Sequence, residues 1–300
     1  MDITEIVKQL VIQLSVILLA AKLGGEVAYR FLKVPPVLGE LVAGIIIGPF
    51  ALGGLHIGGF GPLFGLPHSQ PGEASLVPVS SELYSLSQIA AIILLFAAGL
   101  ETDIRQFLRY AGPASVVAMG GIILPFFLGA GATVLFGFAR SLMDPTALFM
   151  GAIMTATSVG ITARILSEIR KLDTPEGITI LGAAVVDDVL GILVLTIVVG
   201  IVATGTVSLG QVGIVGVKAI GFWIGLTGVG VLLSGIISRF LLSFHVGGAA
   251  LGLSLALAFF ASGLAESFGL AMIIGAYSIG LALSTTEAAK KLLEPMRAVA

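Results

Sequence analysis

The strongest chemical signal in the sequence is Ala183-Ala184-Val185-Val186-Asp187-Asp188-Val189-Leu190-Gly191. Between Ile178 and Ala203 the two aspartates are the only charges. On a helix through this stretch, Asp187 lies roughly 15 Å from the start, near the midplane of a bilayer about 30 Å thick. An acid at that depth costs about 2.5 kcal/mol or more to insert, and two cost more. Neighbours on a helix point about 100° apart, so one carboxylate can face a water-filled cavity while the other meets a partner. Such a pair titrates as a coupled unit. It can hold a cation or protons, which is the chemical basis of exchange. The plainer alternative is a structural ion pair inside a bundle, although acids within the membrane are functional by default.

A second signal precedes it, in Thr155-Ala156-Thr157-Ser158-Val159-Gly160-Ile161-Thr162. Three threonines, a serine and a glycine fall in the middle of an apolar run. Their hydroxyls compete with the helical hydrogen bonds, and Gly160 weakens the helix further. A broken helix at membrane depth is tolerated where it lines a cavity. Its freed carbonyls and hydroxyls are hard oxygen ligands suited to Na⁺. Alternatively, the small polar residues only let two helices pack closely.

These residues need a membrane bundle to position them. The chain has 300 residues, 57% of them hydrophobic and 11% charged, with a mean hydropathy of +1.13. Soluble domains carry about a quarter charged residues. A soluble globule, a disordered chain and a nucleic-acid binder are excluded, and a net charge of −2 offers phosphates no basic face. With no cysteine there are no disulfides or thiolate metal sites. Spans of about 20 apolar residues are expected at 6–31, 36–53, 86–101, 112–138, 146–169, 177–203, 211–242, 246–265 and 267–284. Breaks separate them at Lys33-Val34-Pro35-Pro36, Thr102-Asp103, Asp144-Pro145, Asp173-Thr174-Pro175 and Gly247-Gly248. Residues 54–85 form the long loop, rich in Gly, Pro and Ser. The acidic opening, with Asp2 and Glu5, is unlike a signal peptide, and the first run reads as a retained membrane helix.

Counting basic residues orients the spans. With the N-terminus outside, the inside connections carry Arg30, Lys33, Arg105, Arg109, Arg170, Lys171, Arg239, Lys290, Lys291 and Arg297. The outside has Lys8 and Arg140, and loop 54–85 has neither Lys nor Arg. This asymmetry supports both the span count and the direction. The other charges have milder readings. Lys22 and Glu26 are placed to pair at i,i+4, Arg164 to snorkel, and Glu40, Glu266 and Lys218 to lie near span ends. His56 and His68 read as solvated loop residues. Met119, Met143, Met150, Met154 and Met272 read as packing residues. Lys290 to Arg297 reads as a polar loop leading into a further apolar stretch. The sequence contains no Walker A loop, no His-Glu-x-x-His and no Gly-x-Ser-x-Gly. The expectation is a transporter that is not an enzyme and carries no cofactor.

Taken together, the motifs resemble the cation:proton antiporter-2 family (monovalent cation:proton antiporters), and within it the NapA-type sodium/proton antiporters. The matching residues are Gly39-Glu40-Leu41-Val42-Ala43-Gly44, Ile47-Gly48-Pro49, Gly99-Leu100-Glu101-Thr102, Ala156 to Arg164, Gly182 to Gly191, and Gly269 to Ala276. The resemblance implies an all-α polytopic membrane protein of inverted-repeat fold, with about nine of about thirteen helices present and the C-terminal part apparently truncated. It implies that Asp188 is the main ion-binding carboxylate, transiently holding Na⁺. Asp187 is then the partner acid, and Thr157 and Ser158 line the site on the unwound helix. An Asp-Asp pair is similar to the electrogenic sodium/proton members.

The same resemblance divides the chain into 1–110 (scaffold and dimerisation side), 111–205 (half of the ion-binding core), 206–245 (a linking helix) and 246–300 (scaffold and the start of a second repeat). The expected partners are Na⁺ and H⁺, with Li⁺ or K⁺ as alternatives, together with the lipid bilayer and a second copy in a homodimer. Nucleic acid is not an expected partner. The expected location is the cytoplasmic (inner) membrane, with the N-terminus outside and the chain's C-terminal end inside. The leading reading is Na⁺ (or Li⁺)/H⁺ antiport by alternating access. K⁺/H⁺ exchange on the same frame and a non-transporting membrane fragment are the alternatives.

Overall fold

Each apolar run becomes a helix where a local signal allows it to start, and those signals set the boundaries. The computed structural model describes residues 3–55, 62–64, 79–204 and 209–299. It contains α1 (Ile3–Val27, continued by a π-helical turn, Ala28–Leu32), α2 (Pro36–Ile47), α3 (Ser81–Glu101), α4 (Ile104–Leu135), α5 (Pro145–Thr155) and α6 (Val159–Glu168). These are followed by α7 (Pro175–Thr204), α8 (Leu209–Leu242), α9 (Ala249–Ser267), α10 (Met272–Leu283) and α11 (Glu287–Val299). Among the described residues, eight segments are long and apolar enough to cross a membrane, counting α5–α6 as one. The protein is an all-α, polytopic, integral membrane protein. His56, His68 and most of the long loop lie outside the described residues.

Three expected boundaries shift, two of them for identifiable reasons. α4 starts at Ile104 rather than near 112, because Asp103 caps it: the carboxylate accepts from the amides of Arg105 at 2.7 Å and Gln106 at 3.3 Å. The helix then continues through Pro113 and Pro125, as membrane helices tolerate. α3 begins at Ser81 rather than 86. The expected ninth span, 267–284, becomes the 12-residue α10. Gly269 sits at φ +78° and Ala271 is extended, so the helix breaks before Met272. At about 1.5 Å per residue α10 is too short for a full upright crossing. The polar loop expected from Lys290 is also corrected: it lies in the amphipathic helix α11. Its Ala288, Ala289, Leu292 and Met296 are buried, and Ser238 Oγ on α8 accepts from the Ala288 amide at 3.2 Å.

The chain divides into two compact units, Met1–Ala90 and Ala91–Ala300. In the first, α1 and α2 pack at a glycine contact, where a Cβ on Gly39 would overlap the Gly24 carbonyl. Lys22 does not pair with Glu26. Its Nζ reaches Glu40 Oε1 on α2 at 3.0 Å, and Glu26 pairs with Arg30 instead. In the second unit, α7 packs on α4 through Ala114, Ala118 and Ala183. Val189 of α7 packs with Ala219, Ala265, Leu270 and Ile274. α10 crosses the end of α3 backbone to backbone: a Cβ on Gly280 would overlap the Phe96 carbonyl. Nearby, the Phe107 ring lies tilted against both Trp223 and Tyr277, 6.0 Å from each centroid.

Candidate functional site

The helix expected to break does so at Ala156, Thr157 and Ser158, between α5 and α6. Ala156 and Ser158 have extended backbones, with ψ of 119° and 106°. Each side of the gap is capped locally. Thr155 Oγ1 donates to Ala152 O at 2.8 Å, closing α5. Ser158 Oγ accepts from the Ile161 amide at 3.3 Å, opening α6. Hydroxyls that destabilise a helix interior stabilise its ends. The Ser/Thr run therefore makes two half-helices from one apolar span.

The Asp pair sits opposite this gap. Asp187 is 4% exposed, and its Oδ2 accepts from the Thr157 amide at 3.0 Å. One of the acids is thus hydrogen-bonded directly to the unwound backbone. Asp188 lies one position further round α7, beside Val185 and Val189, which are both buried. Asp187 Oδ1 and Asp188 Oδ2 are buried without hydrogen-bond partners among the described residues. A buried carboxylate oxygen without a donor is costly unless a proton or a cation occupies it. The structure therefore brings Asp187 and Thr157 into contact. Ser158 caps α6 and makes no hydrogen bond to either acid among the described residues; both it and Thr157 are exposed. Among the described residues, no three His, Asp or Glu side chains are grouped closely enough to hold a metal ion. A cation here would meet two carboxylates at most, plus backbone and hydroxyl oxygens, which suits a hard monovalent ion bound transiently.

Residues 15–300 match the family described as Sodium/hydrogen exchanger, transmembrane. The chain belongs to this sodium/hydrogen exchanger family. The chain is 38% identical over 296 residues to the high-affinity Na⁺/H⁺ antiporter NhaS3 of Synechocystis, covering 94% of this chain and 63% of that protein. It is 36% identical over 276 residues to the probable Na⁺/H⁺ antiporter GerT of Bacillus cereus, covering 92% and 65% respectively. It is 33% identical over 270 residues to the Na⁺/H⁺-K⁺ antiporter GerN of the same organism, covering 85% and 62%. The chain thus spans a little under two thirds of the length of these relatives.

Below the broken helix lie residues that the sequence reading passed over. Arg164 does not simply snorkel. Its Nε donates to Glu168 Oε1 at 2.9 Å, one turn along α6. The i,i+4 spacing carried that signal, but Glu168 stood outside every motif considered. Of two cavities at this end of α6, the smaller adjoins this pair. The larger, about 780 Å³, is lined by Glu101, Thr102, Asp103, Ser167, Arg170 and Asp173, among others. The smaller, about 260 Å³, lies along α6 between Leu94, Ala98, Glu101, Ala163, Arg164 and Glu168. Glu101, Ser167 and Leu172 line both.

Proposed function

We propose that the protein exchanges Na⁺ (or Li⁺) for H⁺ across the membrane as a secondary antiporter, not as an enzyme. The observation that carries this reading is the hydrogen bond from the Thr157 amide to Asp187 Oδ2, with Asp188 adjacent and one oxygen of each acid buried and unpartnered. Asp188 is the carboxylate for which cation and proton compete. Asp187 holds the unwound segment against α7 and shares the charge. Thr157 and Ser158 supply backbone and hydroxyl oxygens at the gap. Because one carboxylate cannot be protonated and cation-bound at once, loading one substrate displaces the other, and that competition couples the fluxes. Alternating access follows if α4 to α7 move as a body against the remaining helices.

We propose further that the protein works as a homodimer in the inner membrane, and the distribution of its basic residues supports an N-terminus outside. The relatives' printed names, Na⁺/H⁺ antiporters of Synechocystis and Bacillus cereus, support the choice of Na⁺ and H⁺. K⁺/H⁺ exchange is the second reading. It is favoured by the relative named as a Na⁺/H⁺-K⁺ antiporter.

The test is proton movement driven by Na⁺, Li⁺ or K⁺ in everted vesicles carrying the full-length protein. Asp188→Asn is expected to abolish the response at every cation concentration while the protein still inserts. Exchange at the wild-type rate in that variant overturns the site assignment. A response to K⁺ equal to that for Na⁺ selects the second reading.

A further inference from the structure

We infer that Trp223 is a positioning residue of the ion site: its indole N–H donates to Asp188 when that carboxylate holds no cation, and cation binding breaks the bond. The inference rests on the antiport reading above. Trp223 is the one tryptophan in the 300 residues. Its Nε1 is buried and has no hydrogen-bond partner among the described residues. An indole nitrogen is a donor only, so this orphan needs an acceptor. Asp188 Oδ2 is a buried acceptor without a donor among the described residues. Each is costly alone, and each supplies what the other lacks.

The packing brings the two side chains to one level of the bundle. Contacts step backwards along α7 as α8 advances. A Cβ on Gly216 would lie 3.4 Å from Leu193 Cδ2, and Ala219 shares a buried cluster with Val189. Trp223 comes one turn after Ala219, which brings its Cα near the level of Val185. Its side chain leans towards the N-terminus of α8, and that returns the ring towards Val189. The ring packs against two buried clusters, one holding Leu181, Ala184 and Val185 and the other holding Val189. Asp188 falls between these levels. It follows Leu181, Ala184 and Val185 at i+7, i+4 and i+3, on their face of the helix. The Trp223 ring is also braced by Phe107, with centroids 6.0 Å apart. Phe107 in turn seats on α7 at Gly182, where a Cβ would lie 3.4 Å from its Cε2. Trp223 is thus held, and Asp188, whose terminal torsion is soft, is the side chain that turns.

A donor at the carboxylate changes what a cation must displace. A hydrogen bond to a charged acceptor is stronger than one between neutral groups, and Na⁺ competes with it for the same oxygen. The bond stabilises the cation-free carboxylate, so it weakens Na⁺ binding and keeps it transient. Trp223→Phe retains an aromatic ring and removes the N–H. The Na⁺ concentration for half-maximal proton movement should then fall roughly three- to tenfold. A role in packing alone would lower the maximal rate and leave half-saturation where it is.

The experiment is NMR of the indole N–H in full-length protein carrying ¹⁵N-labelled tryptophan in detergent, with Na⁺-driven proton movement in everted vesicles measured alongside. The signal missing from Trp223→Phe is that of Trp223; where this variant gives no folded protein, Trp223→Tyr makes the assignment. Na⁺ should move the wild-type signal upfield and saturably, choline should not, and in Asp188→Asn the signal should not respond to Na⁺. An unmoved signal in wild-type protein that transports overturns the role of Trp223 and leaves the antiport reading standing. An equal Na⁺ response in Asp188→Asn overturns it too, as does unchanged half-saturation in Trp223→Phe. Wild-type protein that moves no protons overturns the antiport reading and this inference with it.

Discussion

At the scale of single residues, the two aspartates are not equivalent, although they are neighbours in sequence. Asp187 is fixed by a backbone amide from another helix, while Asp188 is not. The two substitutions should therefore fail differently. Asn at 187 keeps an oxygen that accepts from the Thr157 amide, whereas Ala removes it and leaves a polar group at the gap without its partner. That loss costs about 1 kcal/mol or somewhat more. Purified Asp187→Ala protein should melt below Asp187→Asn protein in detergent, and identical melting curves would refute the positioning role. The Asp pair itself was legible in the sequence, because an acid in an apolar run needs no structure to stand out. The hydrogen bond that distinguishes the two acids was not legible, since it joins positions 30 residues apart. Glu168 escaped for another reason: at a helix end near other charges, an acid reads as an ordinary surface residue until a cavity is seen beside it.

At the scale of elements, short-range capping decides where the site's helices start. Asp144 opens α5, accepting from the Thr146 amide at 3.0 Å and the Arg140 amide at 3.4 Å. These backbone hydrogen bonds, the Thr146 one first, hold its carboxyl below the ordinary aspartate value. A depressed folded value stabilises the protein above the unfolded pKa of about 3.9 and ceases to do so as the pH falls through the lower folded value. Asp144→Ala should lower the melting temperature at neutral pH, and the gap from wild type should close below about pH 4. A gap that persists in acid would mean the cap acts without its charge. Caps of this kind were readable from the sequence as breaks at Asp-Pro and Thr-Asp. The α3–α10 crossing was not, because many glycines in a membrane chain make room for neighbours that only the fold identifies. Gly280 is one where a side chain has no space, since a Cβ would strike Phe96 O, Gly99 and Leu100. Gly252 has open space around it. Gly280→Val should yield little monodisperse protein, while Gly252→Ala should behave as wild type.

At the scale of the whole molecule, the eight long spans among the described residues and an apolar run at α10 followed from hydropathy. The shortness of α10 did not, because Gly269 and Ala271 break an apolar run without changing its composition. Orientation is the property that the helices alone leave to charge. Ten Lys and Arg residues fall on one set of connections and two on the other, and a membrane potential and anionic lipid both favour keeping the larger set inside. The chain contains no cysteine, so a single introduced thiol reports its own side without a background. Lys8 and Lys171 are both exposed, at opposite ends of the predicted topology. Lys8→Cys should react with an impermeant maleimide in intact cells, and Lys171→Cys only after the vesicles are everted. The opposite labelling would reverse every connection together, since hydropathy fixes the alternation of the spans and charge fixes only its sign.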